Sequence, residues 1–225
     1  MKTVLLSYYI DNNSAYYVGT TKPVIKPNNQ ITWGEDYNTY IIQVGNHCGT
    51  HVDAPRHFIS SGKSISDYDI MELTFQDPFL LDCEKGPGEF ITIDDLSEID
   101  LSGYDCLLIK TGFGRNRDDD LNLYLTDYPC ITPELVRWIR KTYKNIKCIG
   151  IDIISITRYG DAEMLKEAHV NAFIEDENYG DPLLLIEDMN FELLEVEDHL
   201  IRVVIVPWQV KGIDSAPCTV IADLE

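Results

Sequence analysis

Short runs rich in β-branched and aromatic residues recur along the chain with few helical stretches between them, and that rhythm most constrains the fold. They fall at Val4–Ser7, Tyr40–Val44, Pro78–Asp82, Cys106–Lys110, Cys148–Ile153, Leu183–Ile186, Ile201–Val206 and Cys218–Ala222. One clear helix lies among them: Thr132 can cap it, Pro133 suits its first position, and Leu135, Val136, Trp138 and Ile139 form its apolar stripe. A second helix is expected from Ala162 to Ala168. Many strands and few helices predict an α/β fold built on one mixed β-sheet. The 225 residues suit a single domain, 1–225, with a sizeable core.

Composition excludes several kinds of partner. Eighteen Lys+Arg against 38 Asp+Glu leave a net charge of −20, so nucleic acid and anionic membrane surfaces would be repelled. The six cysteines, at 48, 83, 106, 130, 148 and 218, form no CxxC pair and are expected to be free thiols of a reducing compartment. The run from Met1 to Ile10 reads as a first strand with no cleavage site after it. No apolar stretch approaches the ~20 residues that span a bilayer, so a cytoplasmic protein is expected. The acidic stretches Asp94–Asp100, Asp118–Asp120 and Glu175–Asp181 read as solvated loops, and Asp118–Asp120 lacks the spacing of a calcium loop.

Three of the five histidines and one aspartate fall between His47 and His57, in the run His47-Cys48-Gly49-Thr50-His51-Val52-Asp53-Ala54-Pro55-Arg56-His57. Imidazole and carboxylate are the usual ligands of zinc and related divalent ions. Gly49 and Pro55 argue against a helix here, and no Glu follows His47 as a helical zinc-protease motif requires. In an extended run His51 and Asp53 lie about 7 Å apart at Cα and can share an ion, whereas His47 and His51 lie about 13 Å apart. A bend is needed to bring His47 in, and Gly49 supplies the freedom for it. Past Pro55, His57 suits a place beside the ion, where a group titrating near neutrality can move a proton. His199, next to Asp198 and outside any motif, reads as a surface residue.

The pattern His-x-Gly-Thr-His-x-Asp-x-Pro-x-His-Phe, here running from His47 to Phe58, resembles the signature of the cyclase family of metal-dependent hydrolases, which includes kynurenine formamidases and isatin hydrolases. Weaker likenesses run through Leu108–Phe113, Gly150–Asp152 with Ser155, Ala168-His169, Leu185–Glu187 and Gly212–Pro217. The resemblance implies a swivelling β/β/α architecture. It also implies one or two divalent ions, zinc or manganese, held by His47, His51 and Asp53, with Asp53 bridging to a second ion on His169 and Glu187. His57 is then the proton donor and acceptor. The residues Glu175–Asp181 look inserted between His169 and Glu187, which leaves Glu175 and Glu177 as rival ligands. Tyr17, in Tyr16-Tyr17-Val18-Gly19, occupies the place of an aromatic residue that lines the substrate pocket of the formamidases.

These implications lead to a metal-dependent hydrolase of a small amide, formamide or cyclic amide, in which an ion lowers the pKa of its water to near 7. Two other readings stay open at this point: a cyclisation or dehydration enzyme using the ion as a Lewis acid, and a non-catalytic domain held together by the ion. A homodimer or higher homo-oligomer is expected, with Tyr8, Tyr9, Tyr16 and Tyr17 as interface aromatics.

Overall fold

Thirteen strands and four helices make up the computed structural model, which describes residues 2–195 and 197–225; Met1, where the N-terminal run begins, lies outside them. In chain order the strands are β1 (Lys2–Leu5), β2 (Val24–Asn29), β3 (Thr39–Gln43), β4 (His51–Asp53), β5 (Thr74–Phe75), β6 (Pro78–Asp82) and β7 (Phe90–Ile91). They continue with β8 (Cys106–Lys110), β9 (Cys130–Ile131), β10 (Cys148–Ile151), β11 (Leu184–Glu187), β12 (Leu200–Pro207) and β13 (Ser215–Leu224). The helices are α1 (Asn116–Asp119), α2 (Leu121–Thr126), α3 (Pro133–Thr142) and α4 (Ala162–Phe173).

Nine of the strands form one mixed sheet in the order β5-β12-β13-β4-β11-β10-β8-β6, with β1 also paired to β13. Strands β6, β8, β10 and β11 run parallel, and the pairings of β4, β12, β13, β5 and β1 are antiparallel. The fold is thus the mixed α/β sheet with few helices that the sequence predicts.

The parallel strands read as unbroken apolar runs because both of their faces are covered. Leu107, Ile109, Ile149, Ile151 and Leu185 point into a core shared with α3 and α4. Their neighbours Cys106, Leu108, Cys148, Leu184 and Ile186 point into a second core against β4, β12 and β13. Thr132 caps α3 through its hydroxyl, which accepts from the Leu135 N–H at 3.3 Å, with Pro133 at the first position. Helix α4 runs five residues past the expected end at Ala168, because Ala168, His169, Ala172 and Phe173 continue one buried face.

Other differences have local causes. Strand β13 is twice the length of the expected Cys218–Ala222, since its first residues Ser215, Ala216 and Pro217 pair with β4 while the rest pairs with β12. Strand β2 escapes sequence reading because its side chains are mostly exposed and show no alternation; with β3 it forms a hairpin apart from the main sheet. Strands β5, β7 and β9 have two residues each, too few for a periodicity to register. All six cysteines are buried and free. Among the described residues no helix is long and apolar enough to cross a membrane.

Candidate metal centre

The site gathers where β4 lies between β11 and β13. Glu187 pairs with His51, Leu185 and Ser215 both pair with Asp53, and Pro217 pairs with His51. Side chains two apart on a strand share a face, so His51 and Asp53 point together into the site while Val52 goes into the core behind. Gly49 adopts φ +65°, the left-handed conformation that brings His47 back onto Asp53. After Asp53 the chain turns through a single 3₁₀ turn, Pro55–His57, which carries His57 over the same point.

The resulting distances are short. His47 Nδ1 lies 3.0 Å from Asp53 Oδ1, and His51 Nε2 lies 3.7 Å from that oxygen and 3.4 Å from Glu187 Oε2. His57 Nε2 is 3.9 Å from Asp53 Oδ2, and His169 Nε2 is 3.9 Å from Glu187 Oε1. Among the described residues two sets of ligand atoms fall within 4.8 Å of one another, His51 with Asp53 and Glu187, and His47 with Asp53 and His57. Asp53 belongs to both. The resemblance implies His47, His51 and Asp53 at one ion and Asp53, His169 and Glu187 at a second; the strand register sets Glu187 opposite His51, and His169 reaches Glu187 from α4.

The hydrogen bonds decide which ring nitrogens can bind a cation. The Nδ1–H of His51 donates to the Gly49 carbonyl and that of His169 to the Leu165 carbonyl, each at 2.8 Å. Carbonyls only accept, so in the neutral form of each ring Nε2 carries the lone pair, aimed at carboxylate oxygen. His51 Nε2 and both Asp53 oxygens are buried and make no hydrogen bond of good geometry, although His47 Nδ1 stands 3.0 Å from Oδ1. Acceptors facing acceptors in a buried site are costly unless a cation or a proton lies between them, so the residues fit a divalent ion.

Protonation follows the same crowding. Burial disfavours the charged His47, yet Asp53 and Asp214 outweigh it and lift the ring to about 10. Burial likewise opposes a raised pKa at His51, where Asp53 and Glu187 prevail. At His169 burial wins and the pKa is lowered. Asp53 stays well below the usual carboxylate range despite its burial, held there by His47 and His51.

Several supporting residues carried no role in the sequence reading. Glu187 Oε1 accepts from the Ile156 N–H at 2.8 Å and the Ser155 hydroxyl at 3.2 Å. Asp188 follows with φ +53° and lies fully buried, bound by Arg117 at 2.9 Å and by the Tyr124 hydroxyl at 2.6 Å. Its carbonyl accepts from the Thr50 hydroxyl, which ties the end of β11 to the residue beside His51. The Asp152 carboxylate accepts from Thr111 and Gly112, joining the ends of β8 and β10. Asp214 bridges His47 and His57. The segments around Thr111, Asp152, Ser155 and Asp214 carry likenesses to the family pattern, but nothing local in the sequence signals their hydrogen bonds.

Glu175 and Glu177 are exposed and line an open groove of about 1010 Å³ that none of the clustered histidines lines; of the three glutamates, buried Glu187 is the one that lies beside the clustered histidines. Tyr17 is half-buried with its ring edge-on to Tyr159, centroids 6.3 Å apart. Burial, Glu187 and Tyr159 all raise its pKa. Phe58 stacks on His169 at 4.6 Å and meets His57 edge-on at 4.7 Å. His199 is exposed. Of the tyrosines expected at an interface, Tyr9 alone is exposed; Tyr8, Tyr16 and Tyr17 are half-buried, and Tyr8 covers the Arg117 guanidinium at 3.9 Å.

A mixed sheet that focuses histidines and carboxylates from β4, β11 and α4 on one buried point defines a protein with a candidate metal centre. The family model described as putative cyclase matches residues 4–158, and the chain belongs to this cyclase family. A kynurenine formamidase of Geobacillus thermodenitrificans is 36% identical over 115 residues, an alignment spanning 51% of each chain. A Haemophilus influenzae protein named only as uncharacterized is 34% identical over 125 residues, 55% of this chain and 86% of the other. Isatin hydrolase A from Labrenzia aggregata shares the fold with a TM-score of 0.80 at 19% identity, covering 98% of this chain and 93% of its own. A further isatin hydrolase, bound to the product analogue thioisatinate, superposes with a TM-score of 0.82 at 17% identity over 100% and 92% of the two chains.

Proposed function

We propose that this protein is a metal-dependent hydrolase that opens a small amide, formamide or cyclic amide. The observation that carries the reading is the unpartnered facing of His51 Nε2 and the two Asp53 oxygens, buried beside His57. The relatives named kynurenine formamidase support the choice of a formamide as first substrate.

His47, His51, Asp53, His169 and Glu187 would hold one or two divalent ions, with Asp53 shared. Such an ion, zinc or manganese, supplies Lewis acidity that makes water a competent nucleophile near neutral pH and polarises the carbonyl. The protein's own groups do the rest. His57 Nε2 takes the proton from the attacking water as the new C–O bond forms, and returns it to the nitrogen as the C–N bond breaks. Phe58 packs against both His57 and His169 and supports the orientation of the two rings. Tyr17 is the candidate for contact with the substrate's ring. Its exposed fraction offers a flat surface, and Tyr159 holds it edge-on.

The test is elemental analysis of protein purified without chelator, together with hydrolysis of N-formylkynurenine and of isatin before and after zinc or manganese is added. Metal with formamide turnover supports the full reading, and isatin turnover moves the substrate to a lactam. A product lighter than substrate by one water would replace hydrolysis with dehydration. An apoprotein that unfolds on chelation and never turns over would make the ion structural.

A further inference from the structure

Asp214 carries no role in the sequence reading, yet both oxygens of its carboxylate are engaged at the site. Oδ1 accepts from the Asn46 side-chain amide at 2.9 Å. Oδ2 faces two rings at once, His57 Nδ1 at 2.8 Å and His47 Nε2 at 3.3 Å. The backbone around it is pinned to the same elements that carry those rings. The Asp214 carbonyl accepts from the Ala54 N–H at 2.9 Å and the Ile213 carbonyl from the Ile65 N–H at 3.0 Å, while the Ser215 hydroxyl donates to the Asn46 carbonyl at 3.2 Å.

A carboxylate only accepts, so each imidazole must present it with an N–H. For His57 that fixes the proton on Nδ1 and leaves Nε2, the nitrogen 3.9 Å from Asp53 Oδ2, with its lone pair toward the reacting groups. For His47 the same demand puts a proton on Nε2 and leaves Nδ1, 3.0 Å from Asp53 Oδ1, as the nitrogen free to coordinate. We infer that Asp214 is a positioning residue that sets the tautomer and ring orientation of both His47 and His57, so that one carboxylate prepares a metal ligand and a proton carrier together. The inference rests on the hydrolase reading for its effect on turnover, but its effect on the rings does not depend on any substrate. An outer carboxylate of this kind typically changes metal affinity by about 10–100-fold when removed.

The experiment uses the full chain, zinc-loaded and labelled with ¹⁵N-histidine, as the wild type and as Asp214→Ala, Asp214→Asn and Asp214→Glu. Ring ¹⁵N spectra, zinc affinity by chelator competition, and kcat and KM on N-formylkynurenine are read for each. In the wild type His57 shows Nδ1–H with a bare Nε2. In Asp214→Ala and Asp214→Asn the His57 tautomers mix, zinc affinity falls by about 10–100-fold, and kcat falls at least about tenfold with little change in KM. Asp214→Glu, which keeps the carboxylate, recovers part of each. Asp214→Asn preserves side-chain size and decides the matter if Asp214→Ala does not fold. Wild-type tautomers with zinc affinity and kcat within about twofold in that variant would leave Asp214 a merely structural residue and overturn the inference. A wild type that hydrolyses no amide ends the hydrolase reading, while the ring spectra and zinc affinities still decide the role of Asp214.

Discussion

At the scale of single residues, the site is a set of acceptors brought together by neighbours that hold their protons elsewhere. His57 is partly exposed, its side chain 24% accessible, as a proton carrier needs to be; of the proposed ligands only His47, at 19%, shares that exposure, while His51, Asp53, His169 and Glu187 are buried. Replacing His57 by Ala is expected to lower kcat by about 10²–10⁴-fold while elemental analysis still finds wild-type metal; loss of the metal with it would make His57 a ligand. The pH dependence of metal binding follows from His47, whose pKa of about 10 means that the ring is protonated at neutrality without an ion. An ion must displace that proton, so binding strengthens as pH rises and weakens as pH falls. Calorimetric titration with zinc should show about one proton released per ion at this ring, and an affinity that drops about tenfold per pH unit on acidification. The residues His47, His51, Asp53 and His57 are legible in the sequence because they are close together in it. Asp214 and Ser155 are not, since Asp214 lies more than 150 residues from the two rings it touches and Ser155 lies 32 residues from Glu187.

The elements matter because they aim these groups. Strand β4 has only three residues, yet pairing on both edges fixes its register, and register determines that Glu187 meets His51. The turn after it depends on Gly62. A Cβ there would lie 2.7 Å from the Pro55 carbonyl carbon and 2.9 Å from the Arg56 nitrogen, both backbone atoms of the turn that carries His57. Gly62→Ala is expected to destabilise the fold by about 1–3 kcal/mol by overpacking and to cut turnover through the displaced turn, measured by thermal denaturation alongside kcat. At the end of β11 the left-handed Asp188 is held by Arg117, which is 10% exposed while Asp188 is fully buried. Arg117→Ala leaves that carboxylate without its charged partner, with only the Tyr124 hydroxyl on it, and should cost about 3–5 kcal/mol in chemical denaturation. Burial already raises the Asp188 pKa, so part of that loss should return on acidification, where the group is neutral. The helix caps and the apolar stripe of α3 are local signals and can be read without a fold. The extension of α4 and the left-handed turn at Asp188 answer to tertiary contacts and cannot.

For the whole molecule, the hairpin of β2 and β3 is the feature that a single copy leaves unexplained. Ile31, Trp33, Tyr37, Tyr40 and Ile42 are each more than half exposed on it or on its connecting turn. We propose that a second copy of the chain covers this surface, since a large exposed apolar patch marks an interface. The solution mass is then expected at twice 25.7 kDa or a higher multiple, and Trp33→Asp should shift it toward the monomer; a wild-type monomer would remove the proposal. The sequence by itself determined the mixed α/β class, helix α3, the free cysteines and the cluster between His47 and His57, because periodicity, capping and ligand spacing act over a few residues. Only the tertiary structure decided that Glu187 faces His51, that Glu175 and Glu177 lie outside the site, and that Asp214 reaches both His47 and His57. Those contacts depend on strand register and on where β11 and β13 flank β4, and register is set by the packing of the whole sheet.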